Sequence, residues 1–391
     1  MVRSILTINS GSSSIKFSVY GAGPDPERLL SGKLERIGLP EGRFSAESGQ
    51  GDVLVSKELS LPDHGGALKE LFGWLASRPE DRGMGAVGHR VVHGGSKYTV
   101  PQRVDKTLLN TIRELTPFAA EHLPHEIKAI EAVSSAFPGL PQIACFDTSF
   151  HRTMSEAATT FAIPAEFRAE GVVRYGFHGL SYEYIMEELS RLEPARSKGR
   201  TIIAHLGNGC SMAAVNEARC VDTTMGFTPL GGLVMSTRTG ELDPGIIVYL
   251  LKTRGYAPDE LNVLLNRKSG LLGISGASSD MADLLREEAA SPSAALAIEV
   301  FCYQARKYIG ALSAALGGLD TIIFTAGIGE NSPEIRARLT KGLGFLGVEL
   351  DVEKNKKNGP VISRGPVEVM VMKTNEELMI ARHAWRVLSP S

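Results

Sequence analysis

The first residues able to do chemistry are Asn9-Ser10-Gly11-Ser12-Ser13-Ser14, set between the apolar runs Ile5-Leu6-Thr7-Ile8 and Ile15-Lys16-Phe17-Ser18-Val19. A near-copy, Gly207-Asn208-Gly209-Cys210-Ser211, recurs between Thr201-Ile202-Ile203-Ala204 and Met212-Ala213-Ala214-Val215. Each reads as strand, tight turn, strand. Such turns aim several backbone N–H groups and small hydroxyls at one point, which suits a phosphate chain. Taken alone, either loop is equally an ordinary Asn/Gly/Ser hairpin. Aligned on Gly11 and Gly209, however, they lie 198 residues apart in a chain of 391. Repetition on that scale is a fold-level signal.

Three further segments set charge beside glycine. They are Gly88-His89-Arg90-Val91-Val92-His93-Gly94-Gly95, Tyr175-Gly176-Phe177-His178-Gly179 and Ser236-Thr237-Arg238-Thr239-Gly240-Glu241-Leu242-Asp243-Pro244. Glycine lets a ligand approach the backbone, so each is a candidate anion contact, and each is also readable as a surface turn. Together with the two hairpins they indicate an anion-rich pocket. The loop Ala326-Gly327-Ile328-Gly329-Glu330-Asn331 follows an apolar strand candidate, Asp320 to Thr325. Ser332-Pro333 then opens a helix with proline at its first position. Strand, glycine loop and helix is a common way to hold a nucleotide. The chain has no GxxxxGK[ST] sequence, and Gly327-Ile328-Gly329 lacks the third glycine of a dinucleotide fingerprint.

The elements that must position these groups alternate between strand and helix. Helical spacing runs over Gly65–Ala76, Lys106–Leu115, Pro124–Phe137, Gly245–Thr253, Ser293–Leu316 and Asn375–Val387. Buried strand candidates are Ala86–Val92, Gln142–Phe146 and Val367–Lys373, while Pro24–Ser60 reads as a Gly-, Pro- and Glu-rich stretch with short β-like runs. The alternation predicts an α/β class with mixed sheets. At this length two domains of ordinary size are expected.

Composition excludes several classes. Apolar content of 43% and charged content of 22% are normal for a globular chain, and a net charge of −2 gives no general attraction to nucleic acid or anionic membrane. No apolar run approaches the roughly 20 residues of a membrane span. The start, Met1-Val2-Arg3-Ser4-Ile5-Leu6, runs into a strand without the zones of a signal peptide. Cys145, Cys210, Cys220 and Cys302 show no metal spacing and read as reduced, semi-buried thiols. A cytoplasmic location is the expectation.

In order along nearly the whole chain, a set of segments resembles acetate kinase, of the acetokinase family. They are Asn9 to Phe17, His89 to Gly95, Phe146-Asp147-Thr148, Arg174 to Gly179, His205-Leu206-Gly207-Asn208-Gly209, Thr237 to Gly240, Leu242 to Gly245, Thr325 to Asn331 and Thr374 to Glu377. The resemblance implies the two-domain actin-like, ribonuclease H-like fold shared with sugar kinases and Hsp70, with a nucleotide cleft between domains. It places residues 1–147, completed by a C-terminal helix over 376–391, in the first domain, and 148–375 in a nucleotide-binding and dimerising second domain. It implies Mg²⁺, replaceable by Mn²⁺, with ATP/ADP and acetate/acetyl phosphate as substrates, no nucleic acid or membrane partner, and a homodimer.

The implied site follows by matching motif. Arg90 and Arg238 would flank the carboxylate and the moving phosphoryl group, which His178 would also contact, and Asp147 would orient Arg90 or a metal-bound water. Asn9 and Glu376 would position the metal, with Glu377 the nearest competitor. Val92, His122, Phe177 and Pro229 would bind the acid. Ser12, Lys16, His205, Leu206, Gly207, Asn208 and Gly209 would meet the phosphates, and Asp280, Met281, Ala282, Gly327, Ile328, Gly329, Glu330 and Asn331 the rest of the nucleotide. The chemistry agrees with that list. A carboxylic acid is already ionised at neutral pH, so its attack on a γ-phosphate needs no general base. The obstacle is repulsion between two anions, and arginine forks relieve it. Three positions depart from the family: Glu121 where leucine lines the methyl pocket, Ala282 where arginine packs on adenine, and Gly231 in place of glutamate. Propionate or another short acid is the nearest alternative substrate. A binding protein using ATP as a switch would leave both arginines and His178 without a role.

Overall fold

The computed structural model describes residues 4–11, 13–78 and 83–389. Among these residues two sheets form. The strands of the first are β1 (Ser4–Ser10), β2 (Ser14–Gly21), β3 (Arg28–Glu35), β4 (Gly42–Ser48), β5 (Val53–Leu59), β6 (Met84–Val91), β7 (Gln102–Arg103) and β8 (Gln142–Phe146). Those of the second are β9 (Thr201–Leu206), β10 (Cys210–Asn216), β11 (Arg219–Thr223), β12 (Thr321–Thr325) and β13 (Glu368–Val371). The first sheet runs β5-β4-β3-β2-β1-β6-β8-β7 and the second β11-β10-β9-β12-β13. In each, a hairpin strand (β1 or β9) pairs antiparallel with its successor and parallel with a strand reached later in the chain. The repeat seen in two loops is therefore a repeat of whole sheets, β3-β2-β1-β6-β8 against β11-β10-β9-β12-β13.

Contacts divide the chain into two units. The first contains the residues up to Ser149, Gly179–Tyr184 and the residues from Asn375; the second contains Phe150–His178 and Ile185–Thr374.

In the first unit β1 alternates strictly. Leu6 and Ile8 face a core shared with Phe17, Phe44, Leu68, Leu71 and Val133, while Ile5 faces the other way toward Met379, Ile380 and Ala384. The helices His64–Ala76 and Leu123–Ala136 cover one face, and Glu376–Leu388 covers the other. Gly88 permits that second layer. A Cβ there would stand 2.4 Å from Ile380 Cγ2, so only glycine lets the helix approach this closely.

The short β-like runs read in Pro24–Ser60 are parts of longer strands. The stretch is a meander, β3-β4-β5, extending the sheet outward. Its outermost strand, β5, is mostly exposed, which removes the clean apolar alternation that would have announced it. Helices over Gly179–Leu192, Pro258–Arg267, Gly270–Ser275 and Met281–Glu287 add to those anticipated. Short helices over Glu156–Thr159, Ala165–Ala169 and Val352–Lys356 were not anticipated either, and the six helices given bounds lie within two residues of them. No described helix is long and apolar enough to cross a membrane. The four cysteines are buried and unbridged.

Candidate active site

Strands β1, β6 and β8 are parallel neighbours, so their C-terminal ends share one edge of the first sheet, the edge where open α/β sheets carry ligands. Asn9 lies near the end of β1, Arg90 near the end of β6, and Asp147 just past β8. The Arg90 Nε donates to both Asp147 carboxylate oxygens at 3.1 and 3.0 Å, and Nη2 donates to Oδ2 at 2.5 Å. Nη1 donates to Asn9 Oδ1 at 3.1 Å. Asn9 Nδ2 in turn donates to Glu376 Oε2 at 3.3 Å. Asp147 is fully buried and the Arg90 side chain is 14% exposed. Burial alone would lower the Arg90 pKa; Asp147 and Glu376 outweigh it and raise it, so the guanidinium stays charged. A guanidinium carries five N–H donors. One on Nη1 and one on Nη2 are left over, the fork geometry that grips a carboxylate or phosphoryl group.

Asn375 caps the last helix by accepting from Leu378 N–H, which puts Glu376 and Glu377 in its first turn. Burial first, then the adjacent Glu376 charge, raises the Glu377 pKa. Two neighbouring carboxyls and the Asn9 amide form a hard-oxygen set, and their mutual repulsion is the kind a divalent cation relieves. Lys16, paired opposite Asn9 across the β1–β2 hairpin, adds positive charge toward Glu377. Ser12 lies outside the described residues. No cluster of three or more His, Cys, Asp or Glu able to hold a metal occurs among the described residues.

The second unit gathers its own set. His178 occupies the left-handed region (φ 59°, ψ 24°) as the residue before the helix Gly179–Leu192. Its Nδ1 is 2.8 Å from Ser211 Oγ, and its ring stacks on His205 with centroids 4.1 Å apart. This left-handed backbone conformation is uncommon in a non-glycine residue. With Nδ1 engaged, Nε2 is turned toward the hairpin tip. A Cβ on Gly209 would sit 3.3 Å from His178 Nε2 and 3.6 Å from Arg238 Nη2. Both side chains therefore converge on the Gly209 turn. Arg238 Nη1 donates to the Pro229 carbonyl at 2.9 Å, and Ser236 N–H donates to the Asn208 carbonyl at 3.2 Å, tying that segment to the hairpin.

The family follows from comparison with known proteins. The model of the acetokinase family matches residues 4–382. The acetate kinase of Methylocella silvestris is 42% identical over 99% of this chain and 98% of its own. This chain belongs to the acetokinase family. Among solved structures, a Porphyromonas gingivalis acetate kinase matches at TM-score 0.87 and 34% identity, covering 99% of this chain and all of that one. A propionate kinase from Francisella tularensis matches at TM-score 0.92 and 35% identity, covering 98% of this chain and all of that one. An acetokinase fold is the two-domain actin-like α/β fold, and the two like-ordered sheets are its halves.

The remaining expected residues of this acetokinase-family chain fall as follows. Val92 and Phe177 are buried, and His122 is half-buried just before the helix Leu123–Ala136. Leu206 ends β9, and a Cβ on Gly207 would lie 3.6 Å from Ala326 Cβ; Ala326–Asn331, expected as a glycine loop, is instead a short helix that follows β12 directly, and the second hairpin abuts its start. In that helix Glu330 turns inward: its Oε1 accepts from Ala326 N–H at 2.8 Å and Thr374 N–H at 3.2 Å. Asn331 Nδ2 donates to the Gly327 carbonyl at 2.9 Å. Both side chains brace this short helix. Asp280 likewise spends its carboxylate as a helix cap, accepting from Ala282 N–H at 2.8 Å and Asp283 N–H at 3.1 Å. Met281 is buried beside it.

Three participants were not named as site residues in the sequence reading, although Ser211 stands in the second hairpin. Ser211 holds His178. His64 Nε2 lies 2.7 Å from the Gly11 carbonyl of the first hairpin, and its ring stacks on His125 at 4.1 Å. Glu126 accepts from Val92 N–H at 3.0 Å. Glu126 was findable, because it stands one helical turn after His122 on the same face.

Proposed function

We propose that this chain is a Mg²⁺-dependent acetate kinase, moving the ATP γ-phosphoryl group reversibly to acetate to give acetyl phosphate and ADP. The observation that carries this reading is Arg90, clamped by Asp147 and Asn9 with two N–H donors left for an anion. In the forward direction an acetate oxygen attacks the γ-phosphorus in line. The new O–P bond forms as the bond to the β–γ bridging oxygen breaks, and the electron pair leaves on ADP. No proton is abstracted. Arg90 receives the carboxylate, while Arg238 and His178 stabilise charge on the equatorial oxygens, where fixed donors act most strongly. Val92, Phe177 and Pro229 form apolar walls, and His122 adds a polar contact. Lys16, His205 to Gly209 and Gly327 to Asn331 bind the nucleotide. Asn9 and Glu376 would hold Mg²⁺, which when bound neutralises polyphosphate charge.

Two functional domains, 1–147 with 376–391 and 148–375, and a cytoplasmic location belong to the same reading. So does a homodimer. The helix Pro244–Lys252 has no buried residue, and exposes Ile246, Val248, Tyr249 and Leu251 at 38–50%, a surface that a second copy would cover. Light scattering on a size-exclusion column tests it.

The similarity to a solved propionate kinase favours propionate as a second reading. One methylene is worth only about 1–3 kcal/mol of discrimination, so both acids are expected to react. A coupled assay with acetate, propionate and butyrate at matched concentrations decides the order. No turnover of any of the three with MgATP would sink the proposal.

A further inference from the structure

Glu126 lies on the fourth residue of the helix Leu123–Ala136, 2% exposed, with Oε2 on the Val92 N–H and Oε1 buried without a hydrogen-bond partner. Val92 follows β6 two residues after Arg90, so one side chain anchors the backbone next to the acid-binding guanidinium. We propose that Glu126 is a positioning residue for the acid substrate, which binds while Glu126 is neutral and is weakened when it ionises. This rests on the short-acid kinase reading above.

The physical argument is one of charge. Arg90 is already neutralised by Asp147, and the incoming carboxylate brings a second negative charge. An ionised Glu126 would bring a third, next to the same guanidinium, with one oxygen that nothing solvates. Burial pushes the Glu126 carboxyl up to about 8, against the opposing pull of Arg90 and of the Val92 N–H, with Asp147 adding to the rise. The neutral form suits the geometry. Its carbonyl oxygen accepts from Val92, and its hydroxyl carries no charge to compete for Arg90.

Other titratable groups on neighbouring elements are otherwise occupied. His64 stacks on His125, His89 bonds Gln142 Oε1 at 2.7 Å, and Arg113 pairs with Glu131. His122 immediately precedes the same helix.

The test is the pH dependence of KM for acetate at saturating MgATP, measured on wild type, Glu126→Gln and Glu126→Asp. With an ionisation near pH 8, a requirement for the neutral acid raises wild-type KM about tenfold from about pH 7 to about pH 9. The effect appears in KM rather than kcat. Glu126→Gln, isosteric and unable to ionise, is expected to flatten the rise to less than about twofold, and Glu126→Asp to keep a rise. A flat wild-type KM overturns the inference without any variant, and so does a rise that Glu126→Gln shares. A loss of kcat at unchanged KM would also overturn it. These outcomes all presuppose turnover, so they are distinct from a failure on every short acid, which defeats the underlying reading instead.

Discussion

Arg90→Ala removes more than a substrate contact. Its guanidinium makes three N–H···O approaches to Asp147, a carboxylate with no exposure, and one to Asn9. Deleting the cation leaves Asp147 buried without its counter-charge. Breaking a buried pair from one side costs about 3–5 kcal/mol, a large share of a typical domain's stability. Turnover should fall by several orders of magnitude, since fixed donors to a phosphoryl group contribute about 3 kcal/mol or more each. The motif alone suggests that alanine leaves the fold intact; the buried ion pair says otherwise. Arg90→Lys separates the two effects. It keeps a charge for Asp147, so at least half of the stability loss should be recovered. It cannot span Asp147, Asn9 and an anion at once, so activity should stay below about one hundredth of wild type. Urea denaturation and steady-state kinetics on both variants provide the readouts. An Arg90→Ala protein less than about 1 kcal/mol less stable than wild type would refute the structural half. A lysine variant with more than a tenth of wild-type kcat would refute the fork argument.

His178→Ala should lower kcat far more than it changes KM for ATP, because the proposed bond strengthens in the transition state; a loss confined to KM would make His178 a ground-state binder. Glu121, half-buried in the turn before the helix Leu123–Ala136, is expected to lie off the acid pocket. Glu121→Leu should then leave KM for acetate within about twofold, whereas an improvement of a few-fold to tenfold would place it in the pocket wall. His89 and His151 are each held down to about 4, chiefly by burial. Folded pKa values below the unfolded one mean that the unfolded chain binds more protons between about pH 6.5 and pH 4. Stability is therefore full above that window and falls through it on acidification, by up to about 1.4 kcal/mol per pH unit for each histidine. Thermal melts across that range check the slope, and His89→Gln should reduce it.

Much of the site was legible because it depends on local chemistry. Asn/Gly/Ser turns between apolar runs report a hairpin through a handful of adjacent residues, and the Ser332-Pro333 start reports its helix in the same way. Repetition of one such hairpin about half a chain later announced two like sheets. The glycine-flanked motifs, with the family resemblance they carry, then named Asn9, Arg90, His178 and Arg238 as candidates. The resemblance named some partners together, Arg90 with Asp147 and Asn9 with Glu376, but residue spacing by itself could not supply them, because folding sets their approach. Asp147 is 57 residues from Arg90 and Glu376 is 367 from Asn9. Val92 and Glu126 are 34 apart, with no periodicity linking them. The meander β3-β4-β5 was legible only as short β-like runs, since a strand with one wet face and an exposed edge takes its stability from its neighbour rather than from its own pattern. Residue types and short spacings determined which groups can bind phosphate and carboxylate. Tertiary packing decided which of them are charged, which are braced, and which remain for a ligand, because burial and counter-charges exist only once the chain has folded.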